Sequence, residues 1–354
     1  MTRRVAVVLP SLAMGGAERV AVALLGALNR ARYAPALVAF EASGPLAAAV
    51  PADVELIGLG HARLRAALPA LLRALRRLRA EVVLSTLGYV NLALLAARPL
   101  LPATARIVVR EANTPSLALP NAPHPFATRI GYRMLYPSAD AVLCQHRGTL
   151  AEMAARFRVA PERLHLIPNP VDEDALRGAA RGARRTGDGP HLVAAGRLAR
   201  QKGYDRLIPL MAEIKSAKLT IYGDGPERGA LEALAAAPAV AGRVRIAGTA
   251  DPLAPELAAA DACVLASRWE GLPNVALEAL ACGTPVVATS ECGGLVELES
   301  AGAVTIAPWG PAFRDALAAV VPDPATPRPR PSLLPPRFRL EAVARAFEAV
   351  LESL

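Results

Sequence analysis

Short apolar runs of strand length alternate with helical patterns along almost the whole chain, and this alternation restricts the fold more than any other feature. The runs lie at residues 5–9, 36–40, 54–59, 82–87, 107–110, 141–144 and 165–167, then at 192–195, 219–222, 244–247, 262–266, 285–288 and 304–306. Strands separated by helices build parallel sheets covered by helices on both faces. At 354 residues the chain exceeds one ordinary core and suits two. The expected class is therefore α/β, with two Rossmann-like, doubly wound domains. Residues 1–176 form the first. Residues 177–190, rich in Gly, Arg and Ala and without a strand pattern, read as a linker, and 191–336 form the second domain. A proline-rich stretch over 322–336 precedes a terminal helix over 340–351, so 337–354 are expected as an added tail. Such domains bind ligands beyond the carboxyl ends of their strands, which places the expected site in the cleft between them.

Composition removes several alternatives. The chain is 53% hydrophobic, only 4% aromatic and rich in alanine, which favours helices over a mostly-β sandwich or barrel. No apolar stretch of membrane-spanning length is free of charge or proline; the longest candidate, residues 89–101, is broken by Arg98 and Pro99. The start, with two arginines before an apolar run, resembles a signal peptide, but Gly15-Gly16-Ala17-Glu18-Arg19 stands where a cleavage site belongs. It reads as a first buried strand, and the expected location is cytoplasmic. Cys144, Cys263, Cys282 and Cys292 form no CxxC pair and read as reduced core thiols.

The net charge of +9 is uneven, with 20 basic and 9 acidic residues up to Pro170 and 20 basic and 22 acidic after it. Residues 63–79 place Leu64, Leu68, Leu71, Leu75 and Leu78 on one helical face and Arg73, Arg76 and Arg77 on the other, with Pro69 expected in the first turn. A core-facing helix with a solvated basic face is the first reading. A surface for anionic lipid head groups or a pyrophosphate is the second. Nucleic acid is disfavoured, because aromatic stacking residues are scarce.

Three segments suit the binding of phosphate and sugar. Gly15-Gly16 follows the first strand and opens a helix, so backbone N–H groups and the helix dipole can face an anion. It is not the GxGxxG dinucleotide fingerprint, although Glu41 ends the second strand where an acidic ribose ligand would stand. Gly196-Arg197 is followed by Lys202-Gly203 on one strand-to-helix loop, where Arg197 can make paired bonds to a pyrophosphate and Lys202 can act as a point charge. Lys202 is one of only three lysines, the others being Lys215 and Lys218. The strongest segment is Glu270-Gly271-Leu272-Pro273-Asn274-Val275-Ala276-Leu277-Glu278. If most of that interval is helical, its two carboxylates stand roughly 12 Å apart, about the reach from a hexose to a ribose, with helix-start N–H groups between them for a diphosphate.

Together with Ile167-Pro168-Asn169-Pro170-Val171-Asp172, Tyr222-Gly223-Asp224-Gly225-Pro226-Glu227, Gly283-Thr284-Pro285-Val286-Val287-Ala288-Thr289 and Gly293-Gly294, these segments resemble the GT-B glycosyltransferases of the large retaining family called family 4 or group 1. The likeness covers essentially the whole chain. It implies two facing domains, with the C-terminal helix crossing back onto the first. It also implies Arg197 and Lys202 on the donor diphosphate, Glu278 on the ribose, Glu270 on the donor sugar, and backbone from Gly271, Leu272, Pro273, Asn274 and Val275 near phosphate. Gly15 and Gly16 would close over the donor. The implied donor is a nucleotide-diphosphate sugar, with UDP expected by family habit, and no cofactor or metal is expected. Sugar transfer with retention, assisted by a donor phosphate oxygen, needs charge stabilisation rather than a protein nucleophile. The histidines, at 61, 124, 146, 165 and 191, are scattered and the sequence has no metal-ligand grouping.

Two departures from the family pattern stand out. Many relatives carry a histidine where this chain has Ser85-Thr86-Leu87-Gly88-Tyr89-Val90-Asn91, and a serine where it has His146. The first stretch, with Arg110-Glu111-Ala112-Asn113-Thr114-Pro115, looks similar to the branch acting on polyprenyl-diphosphate-linked glycans or other polysaccharide precursors. Asn91, Arg110, Glu111 and Asn113 are then acceptor-side candidates, and the basic first half is expected to meet anionic membrane; His124 is a separate acceptor-side candidate, whose first reading is a loop histidine with no role. A dinucleotide-dependent oxidoreductase would need the missing glycine fingerprint, and a pyridoxal-dependent phosphorylase a Schiff-base lysine that is hard to find. A catalytically inactive nucleotide-sugar binding protein of the same fold stays open.

Overall fold

The computed structural model describes residues 2–13, 15–185, 187–299 and 302–354. Every expected apolar run is a strand. In the first unit these are β1 (Arg3–Ser11), β2 (Tyr33–Glu41), β3 (Glu55–Gly58), β4 (Val82–Ser85), β5 (Arg106–Arg110), β6 (Ala141–Cys144) and β7 (Leu164–Leu166). They form one sheet in the order β3-β2-β1-β4-β5-β6-β7. The second unit holds β8 (His191–Ala195), β9 (Lys218–Tyr222), β10 (Val244–Gly248), β11 (Ala262–Leu265), β12 (Val286–Thr289) and β13 (Val304–Ala307), ordered β10-β9-β8-β11-β12-β13. All pairings are parallel. Each sheet reverses its strand order once, between β1 and β4 and between β8 and β11, the switch points where doubly wound sheets bind ligands.

The period of two along each strand explains the layering. Val5, Val7 and Leu9 point into a core shared with Val20, Leu24 and Leu25, while Ala6 and Val8 point to the opposite core with Leu71, Leu75 and Val90. In the second unit Ala262 and Val264 serve one core, and Cys263 and Leu265 the other. All four cysteines are buried and free.

The chain passes between units at Pro170/Val171 and again at Arg339/Leu340. The expected linker over 177–190 is therefore corrected: its described residues belong to the second unit. Arg177 donates to the carbonyls of Ala281 and Arg330, and Arg185 to the buried Asp261 carboxylate. Gly, Arg and Ala richness suggested solvated chain, but two of its four arginines, Arg177 and Arg185, satisfy acceptors elsewhere in the second unit. Thr186 lies outside the described residues.

The terminal helix Leu340–Ser353 packs in the first unit, with Val343, Phe347, Val350 and Leu351 in the core that holds Val5 and Leu24. Counted this way, the first unit carries 21 basic and 12 acidic residues and the second 19 of each, so the whole surplus resides in the first.

The helix Leu64–Leu78 buries Leu71, Leu75 and Leu78 and exposes Arg73, Arg76 and Arg77. Pro69 sits in its second turn rather than the first, because the helix starts at Leu64.

Candidate functional site

The β8 and β11 switch point gathers the second unit's motifs. β8 ends at Ala195, and the backbone turns through Gly196 at φ +151°. A Cβ there would stand 2.9 Å from Lys202 Cε and 3.3 Å from the Tyr204 hydroxyl, so only glycine leaves space for the lysine. Gly223, at φ +145°, donates to the Gly248 carbonyl at 2.7 Å, and a Cβ on it would overlap the Gly196 carbonyl oxygen. The Leu198 amide donates to the Asp224 carbonyl at 2.9 Å. The Tyr222-Gly223-Asp224-Gly225 turn thus pins the loop bearing Arg197 and Lys202. Gly223→Ala is expected to lower stability by about 1–3 kcal/mol through backbone strain alone, read as a lower thermal midpoint.

On the β11 side, Arg206 holds the Ala266 and Ser267 carbonyls, and Thr289 Oγ1 donates to the Ser267 carbonyl at 2.8 Å. Glu270 is fixed through its amide to the Glu291 carbonyl at 3.1 Å. Its carboxylate accepts from Ser267 Oγ at 3.3 Å and from Lys202 Nζ in a tight ion pair. Both partners are largely buried. Burial disfavours the ammonium, but the adjacent Glu270 carboxylate outweighs it and holds Lys202 above the usual lysine range. The sequence assigned these two residues to separate parts of a ligand, whereas the structure brings them into direct contact. Arg197 stands exposed on the same loop.

Residues 270–273 precede the helix Asn274–Ala281, so only the second half of the interval to Glu278 is helical. The expected carboxylate spacing of roughly 12 Å, which assumed mostly helix, loses that premise. Gly271, Leu272, Pro273, Val275 and Glu278 are buried and Asn274 half-buried. The Gly294 amide donates to the Gly271 carbonyl at 2.9 Å, and a Cβ at Gly294 would lie 3.1 Å from Leu272 Cα. This close approach accounts for Gly294, though not for Gly293, and holds the loop where backbone N–H groups open the helix.

In the first unit, Gly15 caps and Gly16 opens the helix Gly16–Ala27 beyond β1. The Glu18 carboxylate curls back over Gly15, where a Cβ would overlap it. Its burial raises the carboxyl pKa, opposed by a backbone hydrogen bond. The chain's own acid thus stands at the helix start expected to face an anion.

Asn91, Arg110 and Glu111 come together beyond β4 and β5, but buried, at 0%, 1% and 4% exposure. Asn91 accepts from Ser85 Oγ at 2.6 Å and donates to Glu111 Oε1 at 3.2 Å and the Arg110 carbonyl at 3.1 Å. Tyr132 donates to Glu111 Oε2 at 3.2 Å, and Tyr136 donates to Glu111 Oε1. The two tyrosine rings stack 4.3 Å apart. Arg110 meets Asn169 Oδ1, while its Nε and Nη1 are without a hydrogen bond among the described residues. Burial pushes the Glu111 carboxyl up to about 7 against the tyrosine and Asn91 hydrogen bonds, and pulls Arg110 down to about 10. As described, this trio braces the strand ends from within rather than presenting a surface. Asn113 is half-buried, and His124 is exposed at the start of the helix Pro125–Leu135. Sequence reasoning did not include Tyr132 and Tyr136; their spacing of four within a helical pattern was the available signal. His146 is buried, its Nε2 sharing protons with Thr149 Oγ1 at 2.8 Å and Thr114 Oγ1 at 3.1 Å.

Residues 14–175 match the family model described as Glycosyltransferase Family 4, and residues 189–323 match that described as Glycosyl transferases group 1. The lipopolysaccharide core biosynthesis glycosyltransferase LpsE of Rhizobium meliloti is 36% identical over 48% of this chain and 48% of its own. The N-acetylgalactosamine-N,N'-diacetylbacillosaminyl-diphospho-undecaprenol 4-alpha-N-acetylgalactosaminyltransferase of Campylobacter jejuni is 29% identical over 54% and 53%. The chain spans about half the length of these two curated relatives. The 2-deoxystreptamine glucosyltransferase of Streptomyces kanamyceticus is 30% identical over 68% of this chain and 67% of its own. The fold matches the structure of Anabaena Alr3699/HepE in complex with UDP and glucose, with TM-score 0.79, 16% identity and coverage of 99% and 100%. Two parallel doubly wound sheets, their switch-point loops and these matches make the chain a member of the family 4, or group 1, glycosyltransferases of GT-B fold.

Proposed function

We propose that the chain transfers a sugar, with retention and without a metal, from a UDP-sugar to a polyprenyl-diphosphate-linked glycan at the inner face of the cytoplasmic membrane. The observation that carries this reading is the Lys202–Glu270 ion pair at the β8/β11 switch point, flanked by exposed Arg197 and the start of the helix Asn274–Ala281. A diphosphate there would meet the Arg197 fork, the Lys202 ammonium and helix-start N–H groups. Glu270, partly released from Lys202, would accept from donor-sugar hydroxyls, and buried Glu278 from the ribose. The acceptor hydroxyl attacks the anomeric carbon on the face the diphosphate leaves. Its proton passes to a donor phosphate oxygen, and the bonding electrons leave with the diphosphate. The cations stabilise that charge as it develops. Names of relatives support the substrates: UDP and glucose occupy the Anabaena structure, and a diphospho-undecaprenol stands in the name of the Campylobacter relative.

Glu278→Ala is expected to weaken UDP-glucose binding about 10–100-fold in titration calorimetry, the loss of a charge-assisted hydrogen bond. Unchanged affinity removes the ribose assignment. Failure of folded protein to bind any member of a panel of UDP, GDP and ADP sugars removes the transferase reading.

A further inference from the structure

The helix Pro125–Leu135 has two unlike faces. Tyr132 is buried against Glu111, and its ring lies 5.3 Å from that of Phe157. Gly131 lets this helix approach Leu92 so closely that a Cβ would meet its methyl carbons at 3.2 Å. The opposite face exposes Phe126 at 78%, Ile130 at 46% and Met134 at 70%, each four residues from the next. Arg129 and Arg133 are also exposed, and neither makes an ion pair among the described residues. At about 100° per residue the five side chains span an arc of roughly 140°, with the arginines along one border of the apolar stripe. A rigidly anchored helix showing large apolar groups beside unpaired cations matches an interfacial helix, whose apolar side enters the acyl boundary while its cations meet lipid phosphates.

We infer that this helix is where the protein docks on an anionic phospholipid surface, Phe126, Ile130 and Met134 entering the bilayer boundary and Arg129 and Arg133 meeting the head groups. Charge complementarity selects this occupant, since the unit bearing the helix holds the whole surplus of +9 and the other unit is neutral. The arginine-rich helix Leu64–Leu78, for which the sequence offered lipid contact as a second reading, is less suited. Its leucines all turn toward the core, and Arg76 is occupied by the Leu100 carbonyl. The inference rests on the membrane location in the proposed function and names the surface that meets it, whichever sugar is moved.

Flotation of the full chain with phosphatidylglycerol/phosphatidylcholine vesicles, beside phosphatidylcholine alone, tests it. Wild type is expected to float with the anionic vesicles and to be released by salt. Joint replacement Phe126→Ser, Ile130→Ser and Met134→Ser should reduce vesicle affinity at least about tenfold, since apolar insertion and charge contribute together. Arg129→Glu with Arg133→Glu should abolish the preference for anionic vesicles, which decides the matter if the triple variant folds poorly. Arg73→Gln with Arg77→Gln should change affinity less than threefold, by the loss of long-range attraction only. Triple-variant binding within twofold of wild type overturns the inference, as does equal flotation with neutral vesicles. A wild-type dimer that the triple variant converts to monomer also overturns it, because a second copy would then cover the stripe. Donor affinity for UDP-glucose, measured in the same preparations, reports separately on the transferase reading.

Discussion

Lys202→Ala should lower kcat/KM for sugar transfer by about a thousandfold, with most of the loss in kcat. A single preorganised group facing charge that develops only in the transition state is worth about 10²–10³ in rate. Lys202 is such a group, held above the usual lysine range by Glu270 and therefore charged at neutral pH. The substitution also leaves the buried Glu270 carboxylate with Ser267 as its remaining side-chain donor, so some thermal stability should be lost. Lys202→Ala combined with Glu270→Gln separates the two effects, since it should recover stability and remain inactive. Lys202→Arg should not retain full activity, because a planar guanidinium cannot reproduce the compact ammonium that pairs with Glu270. A folded Lys202→Ala protein with kcat/KM within tenfold of wild type would falsify the diphosphate assignment.

Glu111 should yield the largest stability effects. In Glu111→Ala, buried Arg110 loses its neighbouring carboxylate, and the Tyr132 hydroxyl, the Tyr136 hydroxyl and the Asn91 amide lose an acceptor they share. Breaking a buried charged group of this kind costs about 3–5 kcal/mol. Glu111→Gln behaves differently with pH. Burial pushes the Glu111 carboxyl up to about 7 in the folded state, while an unfolded glutamate titrates near 4.3. The folded state therefore binds the proton more tightly, and wild-type stability should fall as pH rises from about 4.3 to about 7, by roughly 3–4 kcal/mol from this group, then level off. The glutamine variant lacks that slope. Chemical denaturation at pH 5 and pH 8 is the measurement, and parallel pH profiles for wild type and Glu111→Gln would show that Glu111 is ionised throughout.

Most strands were legible because each is a short run buried on both faces, as Val82–Ser85 and Ala262–Leu265 are, so apolar sequence alone marks it; Glu55–Gly58, largely exposed at the sheet edge, was marked by Val54, Leu56 and Ile57 alone. Gly15-Gly16, Gly196-Arg197 and Glu270 to Glu278 were legible because glycine and charge at strand ends are local signals. The Lys202–Glu270 contact was not, since it spans 68 residues and depends on β8 and β11 being neighbours. Arg177 and Arg185 misled for a related reason: a guanidinium on a Gly-rich stretch looks solvated until its distant carbonyl or carboxylate partners are known. The exposed side of Pro125–Leu135 escaped because periodicity reveals that a helix is amphipathic without telling which of its faces the protein covers.

The two crossings between units impose an order in time. The core around Val5, Leu24 and Leu25 lacks Phe347 and Leu351 until the chain has been made through the terminal helix. By then residues 171–339 have all emerged and can fold as a complete unit. At roughly 5–20 residues per second the apolar face of the first unit would wait about 10–40 s for its closing helix. The first unit to be synthesised is thus the last whose core can be completed, and during that interval it is the part of the molecule most exposed to aggregation.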